Sequence, residues 1–258
     1  MAHFWIGTSG WQYRDWKERL YPREIPQRQW LAYYCERFPT VEINNSFYMQ
    51  PSAKSWEHWR ETAPEGFRFA VKAHRYLTHR KRLKDCEDSL ERVATAARRL
   101  KSRLGPVLFQ LPPYFKRNDE HAERLEAFLE LLPRDLLCAF EFRDRSWFGE
   151  ETLAQLRRHR SAFCSYDLPG VDCPLVATAG FAYFRFHGPG ARYRGRYTDR
   201  TLHSWADRLR QLALDVEDVY VYFNNDALGH AVENAMTLRR MLGEGVPKAK
   251  PAAASTRA

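Results

Sequence analysis

The stretch Tyr220–His230, YVYFNNDALGH, decides the fold of this chain, because it contains one complete unit of a pattern that runs through the sequence. It begins with alternating aromatic and β-branched residues, as a buried strand does. It then ends in Asn224, Asn225 and Asp226, and a helical pattern follows. A local turn accounts for any one of these polar residues, whereas the wall of an active site accounts for all three.

Seven further apolar segments are followed by a polar tip and then, in most cases, by a helical pattern. Most are apolar on both faces, which is typical of parallel strands covered by helices. Eight such units in 258 residues predict an α/β fold, specifically a (β/α)8 TIM-type barrel. The predicted strands are His3–Thr8, Thr40–Ile43, Arg68–Lys72, Pro106–Gln110, Leu137–Phe142, Ala162–Tyr166, Phe181–Phe186 and Asp218–Asn224.

Two segments depart from this regular alternation. The stretch DLPGVDCPLVATAG, between the sixth and seventh strands, is interrupted by Pro and Gly and is too short for a full helix. It predicts a barrel with an irregular or missing sixth helix. The C-terminal residues are rich in Pro, Ala and Lys without periodicity. We therefore expect a single TIM-type barrel domain over residues 1–243 and a disordered tail over residues 244–258.

The composition limits the possible partners and compartments. No apolar run approaches the roughly 20 residues of a membrane span, and the N-terminus lacks the features of a signal peptide. These features predict a cytoplasmic protein with no membrane partner. The five cysteines are widely spaced and include no CxxC pair, which argues against a disulfide framework or a cysteine zinc site.

The net charge of +9 leaves two interpretations open. Much of the excess lies in HRYLTHRKRLKD at 74–85 and RRLKSR at 98–103, where it can simply solvate the surface. It can also attract an anionic substrate or a nucleic acid.

Polar residues collect at the predicted strand ends. Parallel α/β folds place their chemistry there, because the following loops converge on one face. Trp11 belongs to an aromatic-rich first loop, for which stacking on a substrate and ordinary packing both remain open. The predicted site residues are Ser9, Trp11, Glu42, Asn44, Tyr48, Lys72, Gln110, Glu141, Arg143, Asp167, His187, Asn224, Asn225 and Asp226.

We expect Glu42, Glu141 and Lys72 to be catalytic. Two carboxyl groups in different surroundings can divide acid and base roles, while Lys72 and Arg143 neutralise a phosphorylated or carboxylated small substrate. A Schiff base at Lys72 requires a lowered pKa, which a sequence cannot show. The alternative is that Glu42–Lys72 and Glu141–Arg143 or Glu141–Arg185 are internal ion pairs that hold the barrel together.

The loop HGPGARYRGRYT at 187–198 carries Arg192, Arg194 and Arg196 among three glycines. Arginine binds phosphate and carboxylate through two parallel hydrogen bonds, so a mobile anion-binding loop is one interpretation. A solvated surface loop is the other.

The chain lacks the motifs of several cofactor and enzyme classes. It has no G-x-G-x-x-G, no P-loop and no G-x-S-x-G, so a dinucleotide site, a nucleotide-triphosphate site and a serine hydrolase lack their usual support. Hydrolase, isomerase or lyase chemistry is favoured over redox chemistry. The cofactor stays unknown. Carboxylates and His187 are candidate ligands for a divalent metal, but no motif of fixed spacing supports one, and we assign no metal ligands.

Six blocks of the sequence resemble the DUF72 (YecE-like) family. They are IGTSGWQYRDWK, YPREIPQRQWLAYYCERFPTVEINNSFY, FRFAVKAHRYLTH, GPVLFQLPP, AFEFRDRSWF and VYVYFNNDALGHAVENA, and they span about Ile6 to Leu242 in order. The resemblance implies a TIM-type barrel but no activity, because the family is one of unknown function. His74 stands where the family is more variable and often has proline. The shared positions are Gly7, Ser9, Gly10, Trp11, Glu42, Asn44, Tyr48, Lys72, Gln110, Glu141, Arg143, Trp147, Asn224, Asn225 and Asp226.

Three functions compete at this point. The leading hypothesis is an enzyme with a polar acid/base site at the C-terminal rim of the barrel, acting on a small anionic substrate. The alternative is a nucleic-acid-binding protein or nuclease that uses the basic surface and the Arg-rich loop. A protein that binds a small ligand without turning it over is the third.

Overall fold

Eight parallel strands form one sheet in the structure, a computed structural model that describes residues 2–190 and 192–243. The strand order is β1-β8-β7-β6-β5-β4-β3-β2, so the sheet curves round until its first and second strands meet. The predicted TIM-type α/β barrel is confirmed. The strands are β1 His3–Thr8, β2 Thr40–Ile43, β3 Arg68–Lys72, β4 Leu104–Gln110, β5 Cys138–Glu141, β6 Ala162–Asp167, β7 Phe181–Phe186 and β8 Asp218–Phe223.

The barrel is nearly closed between β1 and β2, where a single parallel bridge joins Ser9 to Glu42. The Tyr34 hydroxyl links the two strands below this bridge, since it accepts from Thr8 N at 3.0 Å and donates to Thr40 O at 3.1 Å. Gly7 permits the close approach, because a Cβ there would lie 2.1 Å from Thr40 O. This β1–β2 seam is the weakest strand pairing of the barrel.

Helices cover the outside of the sheet and bury one apolar face each. In the helix before β8, for example, Leu202, Trp205, Ala206, Leu209 and Leu212 are buried at the spacing that the sequence predicts. The helices are α1 Trp30–Cys35, α2 Asn45–Tyr48, α3 Ala53–Thr62, α4 Glu87–Arg98, α5 Asp119–Glu130, α6 Glu150–Arg158, α7 Asp199–Leu212 and α8 His230–Met241.

No helix lies between β6 and β7, where every residue from 168 to 180 is described. The predicted irregularity after the sixth strand is therefore confirmed. Thr178 fixes this segment to the start of β6, since its hydroxyl accepts from Phe163 N and donates to Ser161 O, both at 2.7 Å. The segment needs no helix to be held against the barrel.

Side chains alternate between the two faces of the sheet, and this alternation separates two apolar clusters. One lies between the sheet and the helices and forms the main core. The other fills the barrel interior with small and aromatic side chains. It comprises Ala70, Leu108, Ala139, Ala162, Cys164, Phe181, Tyr183, Tyr220 and Tyr222.

Two further sequence predictions concern the C-terminal tail and membrane spans. The predicted tail at 244–258 lies outside the described residues. Across residues 2–190 and 192–243, no helix combines the length and apolar character that a membrane span requires.

Candidate functional site

The candidate site lies at the carboxyl end of the barrel, directly above the interior apolar cluster. Strand alternation explains which residues belong to the site, because residues two positions apart along a strand face the same way. Thr40 is thus followed by Glu42, Ala70 by Lys72, Ala139 by Glu141 and Tyr183 by Arg185.

Arg185 connects two strands across the barrel interior. Its Nη2 donates to Glu42 Oε1 and its Nη1 to Glu141 Oε2, each at 2.7 Å. All three side chains are fully buried. The Glu141–Arg185 pair is one of the internal ion pairs considered from the sequence. Glu42 pairs with Arg185, and no ion pair joins it to Lys72 among the described residues.

Glu42 has a full set of hydrogen bonds. Besides Arg185, it accepts from Ser9 Oγ and from the Tyr183 hydroxyl, each at 2.7 Å. Ser9 also forms the bridge across the β1–β2 seam. Glu42 is therefore a carboxylate held in place by Arg185, Tyr183 and Ser9, and it lies at the β1–β2 seam.

Glu141 lies between two guanidinium groups. One of its carboxylate oxygens contacts Arg143 Nε and the other accepts from Arg185. Burial alone would raise the pKa of the Glu141 carboxyl, but Arg143 and Arg185 outweigh it and hold the pKa well below its usual range. Glu141 therefore stays ionised at neutral pH, which suits an electrostatic role better than proton donation.

His187 is buried and neutral. Burial, and then the Arg143 charge, lower the pKa of its imidazole well below the usual range. Arg143 Nη2 lies 2.9 Å from His187 Nε2, and because a guanidinium only donates, this nitrogen accepts and the proton sits on Nδ1. Asn224 Nδ2 lies 3.4 Å from Nδ1; both nitrogens are donors in this tautomer, so the contact is not a hydrogen bond. His187 thus positions Arg143 without adding a charge.

Lys72 is enclosed but has no polar partner. Only 7% of the residue is exposed, and its Nζ lies 4.1 Å from the centre of the Phe47 ring. Its ammonium forms no hydrogen bond or ion pair with any described residue. Burial, and then the Arg185 charge, lower its pKa to about 7, although Glu141 and Glu42 act in the opposite direction. A large fraction of Lys72 is therefore a free amine at neutral pH.

Asp226 follows β8 near the β1–β2 seam. Burial raises the pKa of its carboxyl to about 8, even though Tyr13 and Arg185 act to lower it. The neighbouring Ser9 carbonyl accepts from the Tyr13 hydroxyl at 2.6 Å and from the Asn44 amide at 3.1 Å. Asp226 is thus a protonated carboxyl at neutral pH, in contrast to Glu141.

Several buried polar atoms at this end of the barrel have no hydrogen-bond partner among the described residues. Leaving such a group unpaired costs about 1–3 kcal/mol, so a ligand that pairs with them gains affinity. They are Asn44 Oδ1, Arg143 Nη1, Arg185 Nε and Asp226 Oδ1. The set offers both donors and acceptors to an oxygen-rich ligand.

Two predicted substrate-binding residues instead hold the loop that follows β7. Asn225 Nδ2 donates to Gly195 O at 2.8 Å and to Asn234 Oδ1 at 3.0 Å. Asp167 accepts from the Tyr197 hydroxyl at 2.6 Å. Both follow an inward-facing residue by one position, so alternation turns them away from the barrel interior. The structure therefore places them outside the central cluster.

The arginines of this loop also lie away from the cluster. Arg192, Arg194 and Arg196 are exposed, and Arg196 pairs with Glu233 at 3.2 Å on the surface. The residue that faces the site is Tyr193, whose hydroxyl lies 3.5 Å from Arg143 Nη2. Its backbone is left-handed, with φ of 65°, a conformation that costs a non-glycine residue about 1–2 kcal/mol.

The remaining predicted residues divide between core and rim. Trp11 is 3% exposed and packs edge-on against Trp59, so ordinary packing accounts for it. Gln110 is buried beside Glu141 in the strand register, and its amide has no hydrogen bond to a described residue. Tyr48 is 69% exposed on the rim. Gln110 therefore belongs to the central cluster, whereas Trp11 does not.

The cluster contains carboxylates and a histidine but no arrangement suited to a metal ion. Nowhere in residues 2–190 or 192–243 do three His, Cys, Asp or Glu side chains converge as metal ligands. Glu42 and Glu141 are instead directed at Arg185.

Sequence reasoning missed three members of the cluster. Arg185 was considered only as a partner of Glu141, although its position two residues after Tyr183 places it on the inner face. Tyr13 and Tyr183 were not assigned a role. The available signal was again parity, which puts Tyr183 on the same face as Arg185. Nothing in the sequence indicated that the Tyr13 hydroxyl reaches the Ser9 carbonyl.

Comparisons with known proteins agree with this architecture. The family model described as "Protein of unknown function DUF72" matches residues 5–257. The UPF0759 protein YunF of Bacillus subtilis is 30% identical, over 92% of this chain and 94% of its own. The UPF0759 protein YecE of Escherichia coli K12 is 30% identical, over 57% of this chain and 52% of its own.

A solved structure supports both the fold and the family. The crystal structure of a DUF72 family protein from Thermotoga maritima superposes with a TM-score of 0.86 at 34% identity, covering 94% of this chain and 100% of that one. The expected family resemblance is confirmed. With its barrel, its strand-end cluster and a family match over nearly its whole length, the chain belongs to the DUF72 family.

Proposed function

We propose that this protein is an enzyme that carries out acid/base chemistry on a small phosphorylated or carboxylated substrate at the carboxyl end of the barrel. The observation that carries the proposal is Lys72: an enclosed amine without a polar partner, beside a buried network of two carboxylates and two guanidinium groups. Burying such groups costs several kcal/mol, and a barrel that only needs to fold gains little from it.

The surroundings of each group support a division of roles. Lys72, with a pKa of about 7, is the base, and Asp226, with a pKa of about 8, is the proton donor. Glu42 and Glu141, predicted from the sequence as the acid/base pair, act here as fixed anions that stabilise positive charge developing on the substrate. This assignment keeps both glutamates in the reaction but moves proton transfer to Lys72 and Asp226.

Arg143 is the group that binds the substrate anion. Its side chain is 3% exposed, its Nε contacts Glu141, and its Nη2 donates to His187. Its Nη1 is buried without a partner among the described residues and faces no competing carboxylate in an ion pair. A phosphate or carboxylate oxygen accepting from Nη1 completes its hydrogen bonds.

A substrate screen across hydrolase, isomerase and lyase reactions tests the proposal, with phosphorylated and carboxylated compounds in each class. Lys72→Met, Glu141→Gln and Glu42→Gln are compared with the wild type, and Arg196→Gln serves as a surface control. We expect Lys72→Met to lower kcat by about 10²–10⁴-fold. A wild type that is inert on every class, or site variants that match an active wild type, would exclude the proposal.

A second candidate function, nucleic-acid binding, is favoured by a different part of the rim. Two exposed tyrosines there each lie next to a basic side chain: Arg82 lies 5.1 Å from the Tyr114 ring centre and Lys81 lies 5.8 Å from the Tyr76 ring centre. Exposed aromatic rings with adjacent positive charge suit stacked bases and phosphates. Many other surface arginines, such as Arg98 and Arg117, are paired with carboxylates, which reduces the positive field.

Titration of labelled RNA and DNA at two salt concentrations tests this second function. Phosphate contacts make affinity fall steeply with salt. Binding at low salt that weakens in a Tyr114→Ala variant would support the second function, and the absence of binding at low salt would exclude it.

A further inference from the structure

We infer that Lys72 is a covalent catalyst that forms an imine with a carbonyl-bearing anionic substrate, such as a 2-oxo acid or a phosphorylated ketone or aldehyde. The inference rests on the proposed function, because it concerns the same site. It assigns Lys72 a nucleophilic role and gives the substrate class a second chemical requirement, a ketone or aldehyde group.

The position of the amine carries the first step of the argument. Lys72 ends β3 inside the barrel, and its Nζ faces the Phe47 ring at 4.1 Å. The two nearby carboxylates that could hold an ammonium in an ion pair are already engaged, Glu42 by Arg185 and Glu141 by Arg185 and Arg143. The nitrogen lone pair is therefore not engaged in any hydrogen bond with a described residue and can attack a carbonyl carbon.

The protonation state supports the same conclusion. A lysine attacks only as the free amine, and an exposed lysine with a pKa near 10.4 is almost entirely protonated at pH 7. The pKa of Lys72, lowered to about 7 by burial and by Arg185, makes the free amine far more abundant than in an exposed lysine.

The substrate's own anionic group offsets the charge of the product. An imine formed at pH 7 is protonated and therefore positive; Glu141 and Glu42 favour a positive charge at Lys72, whereas Arg185 and Arg143 oppose it. The substrate's own anionic group pairs with Arg143, whose Nη1 is unpartnered among the described residues. A 2-oxo acid has its carboxylate directly beside the carbonyl, so one compact molecule satisfies both contacts.

The reaction balances without any external oxidant or reductant. Lys72 Nζ forms a bond to the carbonyl carbon as the C=O π pair moves to oxygen. A proton passes from nitrogen to that oxygen and gives a carbinolamine. The hydroxyl then leaves as water with a proton from solvent, while the nitrogen lone pair forms the C=N bond.

Reductive trapping on the full chain tests the inference. The protein is incubated with pyruvate, glyoxylate or dihydroxyacetone phosphate and sodium cyanoborohydride at pH 7, and the modified lysine is located by peptide mass spectrometry. We expect at least one probe to modify Lys72 at least tenfold faster than any exposed lysine. Modification spread evenly over the surface lysines, or no adduct at Lys72 with all three probes, would overturn the inference.

Two matched variants refine the test. Lys54→Met, an exposed lysine on α3, should leave the adduct unchanged. Arg143→Gln should slow trapping of pyruvate at least tenfold more than it slows trapping of acetaldehyde, which has no anionic group. Equal effects on both probes would contradict the assigned role of Arg143.

The outcomes separate this inference from the proposed function. Turnover of an anionic substrate without any adduct at Lys72 overturns the imine and leaves the acid/base function standing. A selective adduct at Lys72 without turnover of any anionic substrate supports the imine and counts against the acid/base function.

Discussion

Replacing Arg185 by methionine is expected to be the most destabilising single substitution in the candidate site. Arg185 is fully buried and is the shared partner of Glu42 and Glu141. Methionine fills much of the same space but leaves both carboxylates without this cation. Glu42 keeps its bonds to Ser9 and Tyr183, and Glu141 keeps Arg143, so the loss is that of one strongly paired buried cation.

The magnitude follows from the cost of an unpaired buried charge. Removing one partner of a buried ion pair destabilises a protein by about 3–5 kcal/mol. For a chain of this length each kcal/mol corresponds to roughly 2–4 °C, so the melting temperature should fall by roughly 6–20 °C. The control is Arg196→Met, which breaks the exposed pair with Glu233 and should cost less than about 1 kcal/mol.

The stability lost in Arg185→Met should depend on pH, because Arg185 helps to lower the pKa of Glu141. The folded-state pKa of Glu141 lies below its unfolded value, so its contribution to stability is present above the unfolded pKa and is lost as the pH falls through the folded pKa. Arg185 is one cause of this depression, and its removal shrinks the contribution. The difference between variant and wild type should therefore be largest at neutral pH and narrow below about pH 4.

Urea unfolding at pH 7 and at pH 3, followed by tryptophan fluorescence, measures the effect. Adding Glu42→Gln to Arg185→Met removes one of the two buried carboxylates that lost this cation and should restore part of the lost free energy of unfolding. A change below about 1 kcal/mol at pH 7, equal to that of the Arg196→Met control, would refute the assignment of Arg185 as the central cation.

Three further predictions concern other parts of the molecule. Gly7→Ala should lower the melting temperature by an amount equivalent to about 1–3 kcal/mol or more, because the new Cβ would clash with Thr40 O. Gly180→Ala, where a Cβ meets open space, should leave the melting temperature unchanged. Equal effects of the two substitutions would contradict the close approach at the seam. Lys72→Met should stabilise the protein below pH 7, by at most on the order of 5 kcal/mol, and this gain should vanish near pH 10. The reason is that a lysine whose pKa is lowered on folding reduces stability at every pH at which the unfolded chain carries the proton. Urea unfolding at pH 6 and pH 10 measures the gain. Asn225→Ala should speed tryptic cleavage of the arginine-rich loop, and an unchanged cleavage rate would argue against its anchoring role.

The strands were predictable because parallel strands buried on both faces are long apolar runs with clear ends. Seven of the eight predicted strands agree with the structure to within one residue at each end. The fourth begins at Leu104 and not at Pro106, because the chain is already extended before the proline. The helix missing after β6 was predictable from Pro and Gly.

The candidate site was predictable only where strand alternation decided it. Glu42, Lys72 and Glu141 lie at strand ends on the inward-facing side of the alternation, and all three are buried. Asn225 and Asp167 were included because they end strands, although the same parity directs them outward to the loop after β7. The simultaneous pairing of Arg185 with Glu42 and Glu141 could not be predicted from the sequence. It depends on how close β2, β5 and β7 lie across the barrel, and a local sequence pattern does not give that distance.

The β1–β2 seam has a consequence for how the chain is assembled. Strand β1 is the first to be synthesised, yet its ladder partner is β8, which pairs Thr8 with Phe223. Its only ladder pairing with β2 among the described residues is the bridge between Ser9 and Glu42. A chain that stops before residue 218 therefore lacks the β8 ladder that supports β1, and Ser9 is held beside Glu42 only by its contacts with β2 and by the Tyr34 link.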